Sequence, residues 1–138
     1  MANTSPFTDR YTAQVPAQGT AGTAQATIID RMRVAGTVTA AGLIPTGAVA
    51  ADGTDYRVWT IYNRGTSGSG TTVVATLSTL SSAEGALTDN DEKAFTLSGT
   101  AANLVVAEGD VLEVAETVGG SGKTHTGGKL FIKVRPDC

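Results

Sequence analysis

From Thr27 onward the apolar residues come in short runs with a period near two, broken repeatedly by glycine and proline. "ATIIDRMRVAG" opens with Thr27, Ile28 and Ile29, then sets Met32 and Val34 against Arg31 and Arg33, as a half-buried strand does. In "GTVTAAGLIPTGAVAADG", Pro45, Gly47 and the Asp52-Gly53 turn exclude a helix. "DYRVWTIYNRG" is the strongest strand: β-prone residues run together until Asn63-Arg64-Gly65, and apolar density on both faces predicts a central position in its sheet. "TTVVATLSTL" follows the glycine-rich turn "GTSGSG", and "EKAFTLSG", "GDVLEVAETVGG" and "GKLFIKVRP" complete the set. About seven or eight short strands, with turn signals every ~8–15 residues, predict an all-β fold. The expected architecture is a single antiparallel β-sandwich over residues 25–138, either jelly-roll or immunoglobulin-like. Only "LSSAEGAL" looks locally helical, and it is too short for a crossover between parallel strands.

Residues 1–24 break the pattern. They are poor in large apolar side chains, carry Pro6 and Pro16, and end in the small-residue run "AQGTAGTAQA", which cannot by itself offset the entropy of ordering. Phe7, Tyr11 and Val15 nevertheless recur every four residues. The reading is an extended N-terminal arm, disordered in the isolated chain, with Phe7, Tyr11 and Val15 as anchors on a partner surface. Removing the first 24 residues is then expected to leave a soluble fold.

Composition narrows the field. With 138 residues the chain suits one domain that buries about 65–70% of the surface exposed when unfolded. Ten basic against thirteen acidic residues give a net charge of -3, the wrong sign for neutralising many phosphates, so no nucleic-acid partner is expected. Cys138 is the only cysteine, which rules out an intrachain disulfide. The first residues do not read as a signal peptide, and no run approaches the ~18 apolar residues of a membrane span, so the expectation is synthesis and folding in a cytosol, with no membrane. Seventeen glycines and 5% aromatics favour short strands and tight turns.

"GGSGKTH", Gly119 to His125, resembles a phosphate-binding loop at first sight. The motif requires glycine where Thr117 stands and a helix after the loop, whereas "GGKLFIKV" alternates as a strand. "GTSGSG" likewise leads into a β-prone run. Asp52, Asp55, Asp89, Asp91 and Glu92 are oxygen ligands without the spacing of a calcium loop, and turn carboxylates usually cap their own backbone. His125, the only histidine, lies between glycines in what reads as a mobile loop tip, too loosely held for a nucleophile system and without companions for zinc. Trp59, in the most apolar strand, reads as core rather than as a sugar-stacking platform. No catalytic, cofactor-binding or metal-binding constellation is expected.

A "DG-x-x-Y" turn at Asp52, Gly53 and Tyr56 leads into "I-x-N-x-G" at Ile61, Asn63 and Gly65, and "A-x-G-D-x-L" at Ala107, Gly109, Asp110 and Leu112 opens a late strand. In this order, over residues 24–135, the chain resembles the small all-β virion proteins of tailed bacteriophages. Among these, one small domain with a partner-seeking arm and no fibre repeats resembles a capsid decoration (cement) protein. The resemblance implies a homotrimer on the exterior of the virion, made in the host bacterial cytoplasm, with the major capsid protein as partner and the shell's stabilisation as its function. The arm anchors Phe7, Tyr11 and Val15 would then touch the capsid or a neighbouring protomer. The alternative is a receptor- or glycan-binding module of a head or tail fibre, using Trp59 or the loop residues Lys123 and His125.

Overall fold

The alternating runs become strands close to where they are written. The computed structural model describes residues 8–137, which form β1 (Asp9–Val15), β2 (Gln25–Arg31), β3 (Gly36–Pro45), β4 (Tyr56–Asn63), β5 (Thr72–Ser78), β6 (Lys93–Ala94), β7 (Thr96–Leu97), β8 (Val105–Val106), β9 (Val111–Gly119) and β10 (Gly128–Pro136). One 3-10 turn, Ala101–Leu104, precedes β8. All pairings between these strands are antiparallel and build two sheets, β1-β10-β3-β6 with β8 also on β3, and β2-β9-β4-β5-β7.

The pairing is nested. β1 joins β10, β2 joins β9, β3 joins β6 and β8, and β4 joins β5. An antiparallel ribbon folded at the β4–β5 turn and then wound up gives this order, which is the winding of a jelly roll. Of the two sandwich topologies left open by the sequence, the chain adopts that one.

Period-two alternation then decides the core. Trp59 and Ile61 of β4, Leu112 and Val114 of β9, and Leu77 of β5 face Leu130, Ile132 and Val134 of β10 and Val38, Ala41 and Leu43 of β3, all buried. Each large side chain among them contributes about 1.5–3 kcal/mol by leaving water. β4 lies between β9 and β5, the central position its composition predicts. "EKAFTLSG" is not one strand but two: β6 pairs with the first sheet and β7 with the second. Phe95, between them, turns into the core at this corner. "LSSAEGAL" is not helical either. Gly85 adopts φ +85 and Leu87 bridges to Val49, so the segment turns once and extends.

The N-terminal stretch requires the largest correction. β1 pairs along its whole length with β10, from Asp9↔Val134 to Val15↔Gly128. Tyr11 and Val15, read as anchors for a partner, are each 2% exposed inside the chain's own core. A spacing of four is an even number, so residues so spaced share one face of a strand, and the β10 backbone supplies the ordering contacts that a lone arm lacks. The boundary between residues 24 and 25 therefore does not separate an arm from a body. Truncation of the first 24 residues would strip β10 of a neighbour rather than leave the fold intact. Phe7 and Cys138 lie outside the described residues.

Candidate functional site

The inner face of the second sheet does not stay apolar to its end. The alternation that points Trp59 and Ile61 inward also points Arg57 inward, and the one that buries Leu112 and Val114 buries Glu116. Arg57 is 0% exposed and Glu116 2%. Two ionised side chains thus sit at one end of the sandwich, where an unpaired charge would cost several kcal/mol (~3–5).

They are paired closely. Arg57 Nη1 lies 2.9 Å from Glu116 Oε2. The Trp59 indole Nε1 donates to Glu116 Oε1 at 2.6 Å, and His125 Nε2 lies 2.8 Å from the same oxygen. The Gly127 N–H donates to His125 Nδ1 at 3.0 Å, which leaves Nε2 as the protonated nitrogen facing the carboxylate. The imidazole also meets the Trp59 ring edge-on at 5.4 Å between centroids.

The remaining donors of Arg57 hold the chain that closes this end. Nε donates to the carbonyl of Lys123 at 2.6 Å, Nη2 to those of Thr20 and Ala21 at 2.8 Å each, and Nη1 to that of Thr23. Burial pushes the guanidinium below its usual pKa, and Glu116 opposes that shift. No buried side-chain polar atom among the described residues lacks a partner. One fork of donors therefore fastens the segment between β1 and β2 and the loop between β9 and β10 onto the same end of the core. His125, read as a loose loop tip, is a buried member of this plug. Both of its ring nitrogens have partners within the chain.

The loop that resembles a phosphate site is clasped by carboxylates. Asp52 Oδ1 accepts the N–H groups of Thr54 and Asp55, at 2.8 and 3.1 Å, while its other oxygen pairs with Lys123 at 3.2 Å. Asp55 Oδ1 accepts the Ser121 N–H at 2.7 Å. The lysine and an amide that would cradle a phosphate thus already face negative groups. Next to His125 a cavity of about 460 Å³ opens, lined by Ala17, Gln18, Gly19, Ala48, Thr124 and Thr126, with no charged side chain in its wall. Trp59 is 1% exposed and lies too deep to stack on a sugar. No group of three or more His, Cys, Asp or Glu suited to a metal occurs among the described residues.

Of the positions in the three turn motifs, Ile61 and Leu112 are buried strand residues and the others stand in or beside turns. Asn63 accepts the Gly65 N–H and donates to Asp110 Oδ2 at 2.9 Å, and Asp110 in turn accepts the Ala107 N–H at 2.8 Å. Gly109 sits at φ +89, where glycine has no steric cost. The ring of Tyr56 occupies the space into which a Cβ on Gly119 would project. These residues fix loops to strands, which explains their spacing without assigning them a partner. Against known families, curated proteins and solved structures, no family model, no curated protein and no solved structure matches the chain.

Proposed function

We propose that this chain is a structural protein that binds the outer surface of an assembled bacteriophage capsid, as a homotrimer, and stabilises the shell as a decoration protein. The observation that carries the reading is the closed end of the sandwich: its densest cluster of functional groups, Arg57, Glu116, His125 and Trp59, is saturated internally and holds chain segments to one another. What this leaves toward solvent is sheet faces, turns and the cavity beside His125, whose wall holds no charged side chain, and such sheet faces and turns suit a protein that acts by docking. The jelly roll serves viral shell proteins and lectins alike, so the fold supports the class and not the choice within it. The choice rests on the likeness of the turn motifs at Asp52, Asn63 and Asp110 to small virion proteins.

The mechanism is mass action. A protein that binds the closed shell and not its separated subunits stabilises the shell by the free energy of binding, and many equivalent sites make the effect cumulative. Co-sedimentation with undecorated shells tests this. Saturable binding at a fixed stoichiometry, with a rise in the shell's melting temperature, is expected. A folded protein that sediments with no shell would refute it.

A further inference from the structure

The outer face of the first sheet carries a charge pattern that neither the core nor the closed end explains. Cross-strand register puts Gln14, Lys129 and Ile44 in one row, Thr12, Phe131 and Gly42 in the next, and Arg10, Lys133 and Ala40 in a third. Beyond the β-bulge between Lys133 and Val134, Arg135, Thr37 and Val105 form a fourth. Arg10, Lys129, Lys133 and Arg135 are exposed. Phe131 lies flat in their midst, 2% exposed, with the Arg10 guanidinium 4.5 Å and the Lys133 ammonium 5.7 Å from its ring centre. Gly42 makes room for it, since a Cβ there would stand 2.7 Å from the ring.

Ion pairing separates this face from the rest of the molecule. Of the ten lysines and arginines, Arg33, Arg57, Arg64 and Lys123 are in ion pairs, all off this face. Of the other six, none ion-paired among the described residues, four are the cations of this face. Among the described residues, carboxylates near it include Glu92, which leans over Gly42, and Asp137, which follows β10. Cations on edge strands guard against sheet-to-sheet aggregation, and Arg10 stands on the edge strand β1, but Lys129, Lys133 and Arg135 stand on β10, which lies between β1 and β3 and has no free edge to guard.

We infer that this face is a docking surface for a carboxylate-bearing protein surface, which, resting on the reading above, is the outside of the shell. Local complementarity acts within a Debye length of about 10 Å, so a cationic patch attracts carboxylates opposite it despite the chain's net charge of -3. A nucleic acid, spread along its whole charged length, meets that net charge and too few cations. The Phe131 ring holds Arg10 and Lys133 in place, which lowers the entropy lost when they engage.

The test uses the full chain, the double variant Lys129→Glu/Arg135→Glu, which spares Arg10 and Lys133, the two cations over the Phe131 ring, and Arg31→Glu as a control on the other sheet. Binding to immobilised poly-L-glutamate and to duplex DNA is measured at about 0.05 M salt and again at about 0.5 M. The face is supported by wild-type binding to poly-glutamate that weakens with salt, falls about tenfold or more in the double variant and persists in Arg31→Glu. It is overturned by equal binding of all three proteins, by no binding, by tighter binding to DNA, or by an oligomer that the double variant dissociates, since a second copy would then cover the face. The same proteins sedimented with shells separate the two readings. Equal shell binding by wild type and double variant refutes this face and leaves the decoration role standing. Poly-glutamate binding through the face without shell binding refutes the decoration role and leaves the face.

Discussion

Arg57 and Phe131 each stand on the side of a sheet where the other would be expected. Arg57 points into the sandwich and Phe131 points out of it, yet both are almost completely covered. The arginine is covered by acceptors: a carboxylate and four backbone carbonyls take its donors. The phenylalanine has cations over it: the charged heads of Arg10 and Lys133 lie over the ring. The first arrangement closes on itself and holds three chain segments together. The second leaves its charges facing water. A buried charge with every donor paired belongs to the fold, whereas like charges without ion pairs among the described residues, three on the interior strand β10 and one on the neighbouring β1, are available to something else.

Breaking the closed end should have the largest effect. Glu116→Ala leaves Arg57 without its carboxylate and removes the acceptor from Trp59 Nε1 and His125 Nε2. The expected loss is about 3–5 kcal/mol in urea unfolding. Arg57→Met should cost a similar amount, and the double variant less than the sum of the two by about 0.5–3 kcal/mol, since each single change strands the other partner. A cost below about 1 kcal/mol for Glu116→Ala would place the closed end on the same footing as a surface ion pair.

The outer face should respond in two distinct ways. Gly42→Ala drives a methyl into the Phe131 ring and should destabilise by about 1–3 kcal/mol. Combining it with Phe131→Ala should recover part of that cost. Lys129→Glu, by contrast, should change stability by no more than about 0.5 kcal/mol. If Gly42→Ala proved neutral in thermal unfolding, the ring would not be held against the sheet, and Arg10 and Lys133 would lose their support.

Much of this was legible in the alternation of the chain. The central place of "DYRVWTIYNRG" followed from apolar residues on both faces, and β9 and β10 from their period. The same period carried more than a core list. It put Arg57 in line with Trp59 and Glu116 in line with Val114, so two opposite charges on inner faces could be read before any coordinates. His125 could not, because its burial depends on the Gly127 N–H beside it and on Gln18, which bridges to it from the far end of the chain. β1 was hidden for a related reason. Its few apolar residues look insufficient alone, and the partner strand that orders it lies at the opposite end of the sequence. Non-local pairing is what a single sequence shows least.

Asp52 lies between the two regions in character, a turn carboxylate that is only half covered yet fixes a loop of the closed end, and its response should be confined to acid pH. The N–H groups of Thr54 and Asp55, with the ammonium of Lys123, hold its carboxyl at about 2, below the usual 3.8. A carboxylate with a lowered folded pKa stabilises above its unfolded value, and the contribution disappears as the pH falls through the folded one. The stabilisation from Asp52 should therefore be complete above pH 3.8 and fade down to about 2. Its carboxyl carbon resonance, followed by NMR, should titrate near the lower value. Asp52→Asn keeps an acceptor for the two N–H groups but removes the charge facing Lys123, so it should remove this part of the acid sensitivity and leave the turn formed. A midpoint near 3.8 in the folded protein would mean that the turn does not hold the carboxylate, and that the loop bearing Lys123 and His125 is fastened by Arg57, Asp55, Glu116 and Gln18 without help from Asp52.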